Sequence, residues 1–294
     1  EFPEIRFHLE IHPALLTNEL KTALADMPTG CLHLEAGIQS LHENVLMQSR
    51  RSGDLQHSLE GLRYLCSLTN METHADLIAG LPLYKLEQIF EDIHVLAHFG
   101  AGEIQLESLK VLPGTEMRKR AEEWGIRYSP YPPYEVLETN EITAEELQYA
   151  RQLSRLLDGY YNTPIWQKIT CQLILSESGF LKSFLNFLIA SDVIDKPLSI
   201  EKRGLLLYDF CKQVYPEYTV HVSVAWIIAG LSLKKAPAEK VMTKHQNPPS
   251  VWNILQGKYK DSLKLCRLPH KTGNYWFGFE PETQIHVPVF IAEN

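Results

Sequence analysis

The chain has 294 residues, 45% hydrophobic and 22% charged, with a formal net charge of −8. That is enough length for one large domain or two ordinary ones with a substantial core. The acidic balance argues against a phosphate-backbone footprint, so nucleic acid is not indicated as a partner.

Short apolar runs alternate with amphipathic stretches over the first part of the chain. Residues 5–11 read as a strand and 14–25 as a helix. Residues 31–37 read as the next strand. A helix over 55–67 follows, with Leu55, Leu59, Leu62 and Leu65 at helical spacing. Strands are predicted over 74–78 and 102–111, and helices over 86–99 and 116–124. This alternation means parallel βα units with helices outside. Residues 128–134 (YSPYPPY) carry three prolines and three tyrosines and read as extended. Thr143 and Glu146 form a capping-box pattern that starts a helix running to about residue 161. Further helices are predicted over 164–194, with a break near Gly179, and over 200–214 and 218–233. Residues 234–249 read as an exposed loop. Runs at 263–268, 275–279 and 285–291, separated by turn residues, predict a small antiparallel meander. The expected fold is thus α/β. A partial, four-strand parallel βα barrel spans 1–127 and a Pro/Tyr-rich linker spans 128–142. A mainly α-helical domain with the terminal meander occupies 143–294.

No signal peptide is evident, and the longest apolar stretch, 220–233, carries His221 and is too short to span a bilayer. No membrane role is expected. The cysteines Cys31, Cys66, Cys171, Cys211 and Cys266 lie far apart in sequence. That spacing excludes zinc ribbons and local cluster-binding runs, and predicts reduced, buried thiols in a cytoplasmic chain. His8, His12 and His33 fall near strand ends, but without a further ligand at metal spacing no metal site is predicted. Trp166, Trp226, Trp252 and Trp276 are expected in the core.

In a parallel βα barrel, ligands sit at the carboxyl ends of the strands. The polar residues there are Glu10 and His12; Glu35, Gln39 and Ser40; Asp76; and Gln105, Glu107 and Ser108. A carboxylate inside an apolar strand costs several kcal/mol unless paired. Each has a purely structural alternative. Glu10 could pair with Arg6 or a histidine, Gln39 could cap a helix, and Asp76 could pair with His74 or His33. Arg51 could be a solvated turn residue.

The segments FHLEIHP (7–13), HLEAGIQS (33–40), HADLIAGLP (74–82) and IQLESLKVLPGT (104–115) resemble strand ends of the radical S-adenosylmethionine (SAM) superfamily. The resemblance is to the branch that includes anaerobic-type coproporphyrinogen oxidases and cobalamin-binding radical SAM proteins. It implies that Glu10 contacts the methionine amino group of SAM. It also implies that Gln39 contacts the ribose, Arg51 binds the methionine carboxylate and Asp76 faces the nucleoside. Ile78–Gly80 would flank adenine, with Gly80 letting backbone approach a flat ring. The run from Leu112 to Thr143 and the Tyr160–Asn162 triplet are similar to cobalamin-binding members with a helical C-terminal domain.

The family's CxxxCxxC motif is absent from this sequence. The first strand matches the family's third, so two βα units, the cluster loop and a cobalamin domain are expected upstream of Glu1. A [4Fe-4S] cluster and cobalamin are expected only in that longer chain, and SAM cleavage is not expected from this part alone. The strand over 5–11 should be an unprotected edge. The alternative function is a non-catalytic interaction module that docks a partner at that edge. An ordinary βα enzyme for a phosphorylated ligand is a third reading, hinted at only by Pro113–Thr115. The substrate and any catalytic residue are not readable.

Overall fold

The computed structural model describes residues 5–51, 54–238, 266–270, 273–280 and 285–291. The strands β1 (Phe7–Ile11), β2 (Leu32–Gln39), β3 (Glu72–Ala79) and β4 (Glu103–Ser108) form one parallel sheet in sequence order. Between them run α1 (Asn18–Ala25), α2 (Glu43–Gln48), α3 (Leu55–Ser67) and α4 (Leu86–Phe99). Strands buried on both faces usually read as continuous apolar runs. Here β2 alternates instead. Leu32, Leu34, Ala36 and Ile38 are buried, while His33, Glu35, Gly37 and Gln39 are half-exposed. Ala75, Leu77, Ala79, Ile104 and Leu106 continue the apolar face on β3 and β4. Buried Leu62 and Leu65 of α3, and Ile89, Ile93 and Leu96 of α4, supply the apolar stripes of the helices that pack beside β3. The other face of the sheet is polar.

Local signals fix where the helices begin. Thr17 caps α1, its hydroxyl accepting from the Leu20 N–H, because Pro13–Leu15 has already closed a separate 3-10 turn. The helix therefore begins at Asn18, later than expected. Asp54 caps α3 in the same way.

The two edges of the sheet differ. Among the described residues strand β1 pairs only with β2, and Phe7 and Leu9, in register with Leu32 and Leu34, are 50% and 46% exposed. Strand β4 is covered on its free side by the same chain. The Ile104 N–H donates to Asn162 Oδ1 (2.9 Å) and Asn162 Nδ2 donates to the Ile104 carbonyl (3.0 Å). One side-chain amide thus imitates a neighbouring strand. The Tyr161 hydroxyl donates to the Ala101 carbonyl at 2.7 Å. Further along, the Val111 N–H donates to the Tyr134 carbonyl (2.8 Å) and the Val136 N–H to the Leu109 carbonyl (2.9 Å). This antiparallel pairing ends β4 at Ser108, short of the expected residue 111.

The Pro/Tyr-rich stretch forms a strap between β5 (Arg127–Tyr128) and β6 (Val136–Glu138). The Arg118 guanidinium lies over Tyr128 (5.2 Å) and Tyr134 (5.1 Å). Helix α5 spans only Glu116–Lys119, and turns replace the rest of the expected helix as Trp124 becomes buried. Helix α6 (Ala144–Leu156) begins at the Thr143/Glu146 capping box and passes into a π turn over Leu157–Tyr161.

By internal contacts the chain divides into Glu1–Asn162 with Cys171–Leu185, and Thr163–Thr170 with Asn186–Asn294. The stretch 128–142 lies inside the first unit. Helices α7 (Pro164–Ser176) and α8 (Phe180–Ala190) separate near Gly179, as the sequence suggests. The second unit holds α9 (Ile200–Val214), α10 (Thr219–Ile228) and the antiparallel strands β7 (Cys266–His270), β8 (Gly273–Glu280) and β9 (Ile285–Ile291). Trp166, Trp226 and Trp276 are buried. Trp252 and residues 239–249 lie outside the described residues. Among the described residues no helix is long and apolar enough to cross a membrane.

Candidate functional site

A groove of about 440 Å³ opens at the carboxyl ends of the strands, on the polar face. All four residues singled out as SAM contacts line it. Glu10 comes from β1, Gln39 from the end of β2, Arg51 from the loop before α3, and Asp76 from β3. Glu35, Gln105 and Glu107 line it too. The sequence marked these three as polar strand-end residues without assigning them roles. Alternation places them together, because every second residue of a strand faces the same way. Strand register then aligns the rows: Glu10 opposes Glu35, Gly37 opposes Asp76, and Asp76 opposes Gln105.

Strand β2 breaks register between Gly37 and Gln39, and Gln39 takes a left-handed backbone at φ 69°. A bulge of this kind re-aims a side chain, and a non-glycine residue held at positive φ is a strain often found at ligand sites. Asp92 of α4 holds the turn that follows. Its Oδ2 accepts from the Leu41 N–H (2.9 Å), the Ser40 hydroxyl (3.3 Å) and the Tyr84 hydroxyl (2.5 Å). The His42 Nε2 lies 3.2 Å from Oδ1. Burial pushes the Asp92 carboxyl up, and these hydrogen bonds oppose that rise. Sequence reasoning missed Asp92. The available signal was a carboxylate between Ile89 and Ile93 on the apolar side of a helix.

Arg51 is half-buried, and its Nη2 donates to the Gly37 carbonyl. A Cβ at residue 37 would meet that guanidinium at 3.2 Å, so glycine gives the arginine its seat. Burial lowers the Arg51 pKa and nearby Asp76 opposes the shift. Gly80 has a left-handed backbone at φ 90°. A Cβ there would lie 2.7 Å from Val136 Cγ1, so its bareness admits Val136.

Asp76 does not pair with the histidines. His74 Nε2 lies 2.8 Å from a Glu103 oxygen, and its Nδ1 is 2.9 Å from Gln105 Nε2. His33 Nδ1 lies 3.3 Å from Glu72. The His8 ring stacks on His33 (4.7 Å between centroids), and His33 meets His74 edge-on (4.0 Å). Among the described residues Asp76 Oδ1 is buried without a hydrogen-bond partner, and Glu35 lines the same groove from the neighbouring strand. Burial first, then Glu35, pushes Asp76 up to about 8. His8, 2.9 Å away, holds Glu35 below the usual carboxylate range, with Asp76 adding to the effect.

The residues present suit SAM chemically. Arg51 is a fork for a carboxylate. Four carboxyl groups line the same groove (Glu10, Glu35, Asp76 and Glu107), matching a ligand that also carries a sulfonium and an ammonium. They do not suit an iron–sulfur cluster. Among the described residues no group of three or more His, Cys, Asp or Glu could hold a metal ion, and Cys31, Cys66, Cys171 and Cys211 are separate free thiols.

A family profile described as "Protein of unknown function (DUF4080)" matches residues 122–224. No curated protein matches the chain. Among solved structures, the chain is similar to the radical S-adenosylmethionine methyltransferase TsrM from Kitasatospora setae with tryptophan and a SAM analogue bound. That match has 16% identity and a TM-score of 0.36, covering 50% of this chain and 30% of that one. The same enzyme with cobalamin and a [4Fe-4S] cluster matches at 16% identity and a TM-score of 0.35, covering 50% and 28%. Coproporphyrinogen III oxidase (HemN) from Escherichia coli, described as a radical SAM enzyme, matches at 12% identity and a TM-score of 0.31, covering 70% and 69%. The chain therefore spans less than a third of the length of the two methyltransferase structures.

Proposed function

We propose that this chain carries the SAM-binding side of a radical SAM enzyme of the cobalamin-binding branch. One observation carries the reading. Glu10, Gln39, Arg51 and Asp76, separate in sequence and matched one by one to that family's motif positions, line a single groove. In this reading Arg51 holds the methionine carboxylate, Glu10 the amino group, Gln39 the ribose and Asp76 the nucleoside side. A [4Fe-4S] cluster would supply the electron that cleaves SAM, and its ligands would come from elsewhere in a longer cytoplasmic protein. The reaction there is of oxidoreductase or methyltransferase type on a small or unknown substrate. The accessory domain is the second unit, Thr163–Thr170 with Asn186–Asn294, rather than everything from residue 143 onward.

The test is equilibrium binding of SAM to this chain. Arg51→Ala removes a charge-assisted bidentate partner, so affinity should fall about tenfold or more. A wild-type chain that does not bind SAM overturns the reading.

A second reading is favoured by the exposed Phe7 and Leu9 at the open β1 edge: a non-catalytic module that pairs with a partner strand there. It predicts partner binding that Leu9→Lys abolishes and Arg51→Ala leaves unchanged.

A further inference from the structure

We infer that Asp76 and Glu35 form a proton store that a cationic ligand empties, so that entry of the ligand's positive group into the groove drives one proton from Asp76 into solvent. The inference rests on the SAM reading of the groove and adds a proton to its ligand exchange.

The geometry carries it. Glu35 lies between Glu10 of β1 and His74 of β3 in the sheet register, and Asp76 lies one pair further along, opposite Gly37. Asp76 is faced by carboxylates from three strands: Glu10 on β1, Glu35 on β2 and Glu107 on β4. Gln105 stands opposite it on β4, and His74 lies two residues before it. Among the described residues Arg51 is the one arginine or lysine lining the groove, and its Nη2 is already engaged by the Gly37 carbonyl. Carboxyl groups gathered in one groove from neighbouring strands do not all ionise readily, so a buried one among them keeps a proton. His8 breaks the tie. Its Nε2 sits 2.9 Å from Glu35 Oε2, which keeps Glu35 ionised and leaves the proton on Asp76. His8 is thus a positioning residue for that proton. Nothing is oxidised or reduced when the store empties. The O–H bond of Asp76 breaks, the proton passes to buffer, and the ligand's positive charge takes its place against the carboxylate.

The experiment is calorimetric titration of the full chain near pH 7 in buffers of differing ionisation enthalpy. The probes are SAM and S-adenosylhomocysteine, which lacks the sulfonium charge. SAM should release about one proton per site, and S-adenosylhomocysteine fewer. SAM affinity should rise about tenfold between pH 6 and pH 7 and level off above pH 8. Glu35→Gln should cut the proton release, because Asp76 loses its anionic neighbour. His8→Asn should move the affinity profile to higher pH, because the ionised pair loses a stabilising partner. A purely structural role for either residue would move neither readout. SAM binding with no proton released overturns the store and leaves the SAM reading standing. If SAM does not bind, that reading fails, and a carbon-13 titration of the Asp76 carboxyl in the ligand-free chain decides the store. A midpoint near 8 that falls in Glu35→Gln supports it, and a midpoint in the ordinary carboxylate range overturns it.

Discussion

The two edges of the parallel sheet are treated in opposite ways. Strand β4 is closed by this chain: Asn162 pairs with both backbone groups of Ile104, Tyr161 anchors to Ala101, and the 128–136 strap continues the pairing. Among the described residues nothing pairs with the far side of strand β1, which carries two exposed apolar residues. An unpaired edge is a template for further pairing, and a covered one is not. The lesson is that the Tyr160–Asn162 triplet has a mechanical role. It terminates the sheet with a side-chain amide where a fifth strand would otherwise continue it. The groove spans the sheet between these edges, from Glu10 on the open side to Glu107 on the closed side.

The sharpest way to break this comparison is Asn162→Ala. It strands a buried N–H and carbonyl on β4 and should cost about 2–3 kcal/mol. Hydrogen exchange at the Ile104 amide should accelerate, and unchanged protection there would remove Asn162 as the edge cap.

Asp76→Asn asks whether strain lies in the polar face rather than at an edge. The Asp76 pKa rises from the usual 3.8 to about 8 in the fold, so the fold favours its protonated form. The folded chain is then most stable below the unfolded value and loses stability as pH climbs from about 4 to about 8. The asparagine variant escapes that loss. It should gain about 1 kcal/mol on wild type at pH 8.5 and little at pH 4, after allowing for solvent screening of a half-buried group. Melting curves at the two pH values check this, and a pH-independent difference would refute it.

A smaller effect is expected from Tyr161→Phe, which removes one hydrogen bond to the Ala101 carbonyl and should cost about 1 kcal/mol in denaturant unfolding. The smallest belongs to the open edge. Leu9→Lys should change stability by under about 0.5 kcal/mol, because the side chain is already half in water. A large loss there would mean that the β1 edge is covered in solution.

Much of the site was legible in the sequence because its signals are local. Glu10 and Asp76 stand out as carboxylates among apolar strand residues, and Gln39 and Arg51 fall at motif spacing. Other parts were invisible because they depend on partners far away in sequence. Asp92 reaches the 40–42 turn from α4, and Val136 packs where a Gly80 side chain would stand. The pairing of Glu35 with His8 also follows only from strand register.

The sequence by itself determined the βα pacing, the helix start at Thr143 and the set of polar strand ends. Period, capping and chain breaking are properties of neighbouring residues, so a linear reading captures them. Only the tertiary structure decided which polar groups face one another, which edge is sealed and where the proton of the Asp76–Glu35 pair resides. Those outcomes depend on register and burial, which exist only once distant strands are side by side.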